Sequence, residues 1–142
     1  RRQRQMCIRD RKKAEKKAER WQTIALGAAK QSKRMQIPTV HMPVTFQQAL
    51  AMIAESDVRL MPYENAEGME GTRRILESIE PGESIAILIG PEGGIDEAEV
   101  EMAMKEKVEP ITLGKRILRT ETAGMTVLSI LVYLLEGRER TR

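Results

Sequence analysis

Ser84-Ile85-Ala86-Ile87-Leu88-Ile89 is followed directly by Gly90-Pro91-Glu92-Gly93-Gly94, and this stretch decides the fold. Six residues with one polar member predict a strand buried on both faces, as in a parallel sheet. The glycines after it permit positive φ and close backbone approach. Asp96 and Glu99 then give an Asp-x-x-Glu start for a helix reaching to about Lys107, whose free amides face the turn. Strand, glycine turn and helix in that order are the unit of an α/β domain, in which ligands bind beyond the carboxyl ends of the strands. The turn lacks the Gly-Lys-Ser/Thr of a phosphate loop, and its glycines miss the dinucleotide-binding spacing. A purely structural strand-to-helix turn would use the same residues.

Working outward, Pro110 to Leu113 predicts a second strand, ended by Gly114. The ten residues Leu113-Gly114-Lys115-Arg116-Ile117-Leu118-Arg119-Thr120-Glu121-Thr122 carry three cations, one carboxylate and two threonine hydroxyls around an Ile-Leu pair. A solvated loop has little reason to hold that pair, whereas a loop lining a pocket for a flat apolar group does. The plainer alternative is that Ile117 and Leu118 anchor the loop and Thr120 caps the next helix. That helix, ending at Gly137, is apolar nearly all round from Met125 to Leu135, which predicts burial within the domain or against a partner subunit.

On the other side, Thr72 to Ile79 predicts a short helix stopped by Pro81-Gly82, after a polar loop over Glu64–Gly71. Val58 to Met61 predicts a short strand. Thr45 with Gln48 forms a capping box for a helix with Phe46, Ala49, Leu50 and Ile53 on its apolar face. Ile37 to Val40 predicts another short strand. Ala14, Ala18, Trp21, Ala25 and Ala28 recur at helical spacing from Lys12 to about Ser32. Alternation of strands with helices predicts an α/β domain with a mainly parallel sheet.

The 142 residues, 41% hydrophobic and 32% charged, suit a single core. No apolar run is long enough to span a bilayer, and no secretory signal follows the basic start. The single Cys7 excludes an internal disulfide framework and fits a reducing, cytoplasmic setting. Net charge is +3, but residues 1–20 hold ten Lys+Arg against three Asp+Glu, so the remainder is acidic. A nucleic-acid reading therefore rests on local cations rather than on net charge. Aromatic residues make up only 3% of the chain, so rich base-stacking platforms are not expected. His41 has no His or Cys neighbour placed as a metal ligand, and no metal is expected. The nine methionines read as core filling.

The two loop motifs together, Leu88 to Gly94 and Leu113 to Ala123, closely resemble the RsmE family of 16S rRNA (uracil-N3)-methyltransferases, in the SPOUT superfamily. Arg20-Trp21-Gln22, Ala28-Ala29-Lys30-Gln31-Ser32, Arg34 and Ile37-Pro38 are similar to that family as well. The resemblance implies a homodimer with a C-terminal trefoil knot that holds S-adenosylmethionine. Leu88, Ile89, Gly90, Pro91, Glu92, Gly93 and Gly94 would form one wall of its pocket. Leu113 and Gly114 would form a second, and Arg116, Ile117, Leu118, Arg119, Thr120, Glu121 and Thr122 a third. It further implies Glu121 as base or positioning group. Arg119 and Arg116 would hold phosphate or the developing uracil oxyanion, and Lys30, Lys33, Arg34, Lys115 and Arg116 would face RNA. Residues 1–11 match nothing in the family, 12–137 fit its methyltransferase domain, and 138–142 are a charged tail. The family's first strand and its N-terminal PUA-like domain are not recognisable, so the chain reads as a C-terminal portion of a longer protein. Two other classes remain open: a non-catalytic module binding ribosomal RNA, and a different nucleotide-using α/β enzyme.

Overall fold

The computed structural model describes residues 8–64, 66 and 68–139. Cys7, most of the basic leader and the last three residues of the tail lie outside them. The chain divides into two compact units, Arg1–Thr45 and Phe46–Arg142.

The first unit is built on α1 (Ile8–Gln31), which starts one turn before the expected Lys12. The helix ends in a Schellman arrangement. Arg34 N–H donates to Ala29 C=O at 3.0 Å and Lys33 N–H to Lys30 C=O at 3.2 Å, with Lys33 at φ 55° where glycine is usual. The strand expected at Ile37–Val40 does not form. Its backbone is instead gripped by one side chain: Gln22 Nε2 donates to Pro38 C=O at 3.0 Å, and Val40 N–H donates to Gln22 Oε1 at 2.8 Å. A primary amide presents the same donor–acceptor pair as a peptide, so Gln22 occupies the place of a neighbouring strand.

The second unit holds α2 (Phe46–Ile53), β1 (Val58–Pro62), α3 (Met69–Glu77), β2 (Ile85–Ile87), α4 (Glu97–Lys105), β3 (Glu109–Ile111) and α5 (Thr120–Glu139). Its sheet is wholly parallel in the order β2-β1-β3. Val58 pairs with Ile85, and Leu60 pairs with Ile87 on one side and Glu109 on the other. The central strand is β1, and its alternation explains the layering. Leu60 and Met61, both fully buried, point to opposite faces. Leu60 packs with Leu76 of α3, Ile111, and Val127 and Leu131 of α5. Met61 packs with Leu50 of α2, Val100 and Ala103 of α4, and Val108. Each of the Leu, Ile, Val and Met side chains among them contributes about 1.5–3 kcal/mol of burial.

The run Ser84–Ile89, expected to be buried on both faces, is a half-buried edge strand. Sequence composition cannot tell a central strand from an edge strand whose partners lie on one side only. The expectation for α4 is met in full: Ala98 N–H donates to Asp96 Oδ1 at 3.2 Å and Asp96 N–H to Glu99 Oε2 at 3.4 Å. Helix α3 begins three residues earlier than expected. Thr72 therefore sits inside it, buried, and its Oγ1 accepts from Thr112 N–H at 2.8 Å. Helix α5 starts at Thr120, so Thr120, Glu121 and Thr122 form its first turn rather than a preceding loop. It is not covered all round: Met125, Leu128, Val132 and Tyr133 are exposed. Among the described residues no helix is long and apolar enough to cross a membrane.

Candidate functional site

The chain leaves β1 and β3 toward the α3/α5 face of the sheet and leaves β2 toward the α2/α4 face. Loops that part to opposite faces open a crevice beyond the strand ends, which is where open α/β sheets bind ligands. A cleft of about 930 Å³ lies there.

Its first wall is Ile89 to Gly94, at the end of β2. Gly94 adopts φ 75°, and its N–H donates to Pro91 C=O at 2.9 Å, which closes the turn. Gly90 serves a different need. A Cβ there would stand 2.6 Å from Ile95 Cγ1, so the absence of a side chain lets Ile95 pack under the turn. The second wall is Thr112, Leu113 and Gly114, at the end of β3. Gly114 adopts φ 112°, and its N–H donates to Thr112 Oγ1 at 3.3 Å. The Thr72–Thr112 hydrogen bond ties this wall to α3. Lys115 to Thr120, with Ala123, form the third wall. Leu118 is half-buried while Lys115, Arg116, Ile117 and Arg119 are exposed, so three cations surround an outward-facing isoleucine. Thr120 Oγ1 donates to Gly90 C=O at 3.2 Å and joins the third wall to the first.

Both loop motifs thus converge on one cleft. Of the residues expected around the cofactor, Leu88, Glu121 and Thr122 do not line it. Leu88 packs toward the Met61 core, and its N–H extends the ladder to Leu60 C=O at 2.8 Å. Glu121 is exposed on the first turn of α5. Lys30, Lys33 and Arg34 are exposed at the end of α1 in the first unit. Sequence reading missed Pro62, Tyr63, Glu64 and Thr112, which also line the cleft. The signal available for the first three was their position just past a strand, at Pro62, but no motif marked them. His41 is exposed, and among the described residues no group of three His, Cys, Asp or Glu side chains is placed to hold a metal ion.

Fold and cleft define a doubly wound α/β domain with a glycine-walled ligand crevice. The chain belongs to the RNA methyltransferase domain family, whose model matches residues 3–132. It is 42% identical over 130 residues to the ribosomal RNA small subunit methyltransferase E of Bacillus subtilis, covering 89% of this chain and 51% of that protein. The Neisseria gonorrhoeae ribosomal RNA small subunit methyltransferase E, solved with S-adenosyl methionine, superposes with a TM-score of 0.68 at 34% identity, over 85% of this chain and 48% of that one. A Legionella pneumophila protein solved with the bound cofactor SAM gives a TM-score of 0.76 at 32% identity, over 90% of this chain and 50% of that one. The resemblance read from the two loop motifs is borne out. The chain spans about half the length of the curated relatives it matches.

Proposed function

We propose that this chain is the catalytic domain of an S-adenosylmethionine-dependent methyltransferase that modifies N3 of a uridine in 16S ribosomal RNA. The observation that carries the reading is the convergence of both family motifs on one cleft. Its size falls in the range of about 300–1,000 Å³ used by small-molecule sites. The residues fit a nucleoside. Gly93, Gly94 and Gly114 bring backbone without side chains to two walls, and Ile89, Leu113 and Leu118 supply apolar surface. Bound there, S-adenosylmethionine supplies an electrophilic methyl group.

The chain's own residues then have separable tasks. The glycine-bearing walls read adenine and ribose edges through the backbone. Arg119 and Arg116, exposed on the cleft rim, hold substrate phosphate or stabilise the developing uracil oxyanion. Glu121, one residue along α5, enters as a positioning group. Leu88 supports the first wall from behind. Lys30, Lys33, Arg34 and Lys115 supply phosphate contacts that orient the RNA. The C-terminal loops and α5 form a SPOUT-type trefoil knot, and the exposed stripe Met125, Leu128, Val132 and Tyr133 is covered in a homodimer. A ribosomal substrate places the protein in the cytoplasm.

Calorimetric titration with S-adenosylhomocysteine tests the pocket, and transfer of labelled methyl groups to small ribosomal subunits tests the reaction. Absence of cofactor binding by the folded protein sinks the assignment. Competition by ATP or NAD in its place would favour another nucleotide enzyme.

A further inference from the structure

One wall of the cleft comes from neither loop motif. Pro62, Tyr63 and Glu64 emerge from the carboxyl end of β1, the central strand, between the ends of β2 and β3. Backbone pairing fixes this position: Tyr63 N–H donates to Ile111 C=O at 2.9 Å and carries the β1–β3 ladder past Pro62. Tyr63 is half-buried, and among the described residues it is the aromatic side chain that lines the cleft. The lining contains two carboxylates. Glu92 belongs to the glycine turn assigned to the cofactor, whereas Glu64 stands on this separate wall.

We infer that Tyr63 and Glu64 form the wall that receives the target base: the Tyr63 ring is the face on which an unpaired pyrimidine stacks, and the Glu64 carboxylate accepts its N3 proton. The inference rests on the methyltransferase reading above. N3 lies on the pairing edge of uracil, so the base has to leave any duplex before it reacts. An unstacked base loses an apolar contact, and an aromatic side chain restores one without reading sequence. N3 also carries a hydrogen that must be removed, which calls for an acceptor within hydrogen-bond reach. Glu64 follows Tyr63 in the chain and lines the same cleft, and Glu121 is not part of the lining. In the step so defined, the N3–H bond breaks and the proton passes to the Glu64 carboxylate. The N3 electron pair forms the new N–CH3 bond, and the sulfonium–methyl bond breaks with its pair remaining on sulfur.

Binding and chemistry test the two residues separately. With the protein loaded with S-adenosylhomocysteine, Tyr63→Ala weakens affinity for single-stranded oligouridylate by about tenfold or more, and Tyr63→Phe retains it. Glu64→Gln lowers single-turnover methyl transfer at neutral pH by about 10²–10⁴-fold. That deficit shrinks as rising pH ionises N3 directly, while affinity for oligouridylate and for S-adenosylhomocysteine holds. Unchanged binding in Tyr63→Ala overturns the stacking role. Transfer by Glu64→Gln within about twofold of the parent, or a deficit constant with pH, overturns the base role. Loss of S-adenosylhomocysteine affinity in either folded variant overturns both, because the wall then serves the cofactor. A parent protein that stacks oligouridylate on Tyr63 but transfers no methyl group refutes the methyltransferase reading and the base role with it. Ordinary transfer by an intact Glu64→Gln protein refutes only the inference.

Discussion

The hydroxyl of Thr120 donates to the carbonyl of Gly90 at 3.2 Å across thirty residues of chain. This contact joins the first turn of α5 to the glycine turn after β2, and so fixes two walls of the cleft against each other. Replacing Thr120 with Val removes the donor while keeping the shape. The expected result is a stability loss of about 1 kcal/mol in urea unfolding and severalfold weaker S-adenosylhomocysteine binding. Thr120→Ser should restore both.

Gly90 is constrained by space. Its added methyl group in Gly90→Ala would meet Ile95 Cγ1, at a cost of about 1–3 kcal/mol typical of overpacking. Shrinking the neighbour should relieve it. In the double variant with Ile95→Ala the two costs should fall short of additive, and equilibrium denaturation of all four proteins measures the coupling.

Thr72 answers a different demand. Its buried hydroxyl takes the Thr112 N–H at the base of the second wall. Thr72→Val leaves that amide without its partner and should cost about 1–3 kcal/mol, with faster hydrogen exchange at Thr112. Thr72→Ser should retain the protection.

Asp57 makes stability depend on acid. Its carboxylate accepts from both Ser84 Oγ (2.6 Å) and Ser84 N–H (2.8 Å), and these bonds hold its pKa below the ordinary value. A carboxyl whose pKa is depressed by folding contributes stability above its unfolded pKa and loses it as pH falls through the folded value. Thermal unfolding should therefore show a drop in Tm below about pH 5 that is shallower in Asp57→Asn. Equal slopes would remove Asp57 from the acid limb.

Arg119 and Glu121 differ in place and should differ in effect. Arg119→Ala, on the cleft wall, should lower methyl transfer by about 10²–10³-fold if it stabilises the oxyanion. Glu121→Gln, outside the lining, should act more weakly and without a change in pH profile. Single-turnover rates at saturating cofactor and RNA separate them.

Local chemistry was readable wherever a short segment carried its own signal. The Asp96–Glu99 capping box started α4 where expected, and the glycines at 94 and 114 stand at positive φ in the cleft. What failed depended on distant partners. Ile37–Val40 has the composition of a strand, yet its pairing groups are taken by Gln22, sixteen to eighteen residues earlier in sequence. The run Ser84–Ile89 reads as buried on both faces, yet it is half-buried at a sheet edge, while β1, with its arginine and terminal proline, holds the middle. Tyr63 and Glu64 were invisible as site residues because their role depends on which strand end opens beside which.

The order β2-β1-β3 also sets how the second unit must assemble. Its first strand in sequence is the middle one, so no strand pair is a local hairpin. The chain between β1 and β2 includes α3, and the chain between β1 and β3 includes α3, β2 and α4. Every sheet contact carries a long loop-closure cost that is met before the contact returns anything, a pattern associated with slow folding. During that interval both edges of β1 are open to other chains, so refolding yield should fall as protein concentration rises.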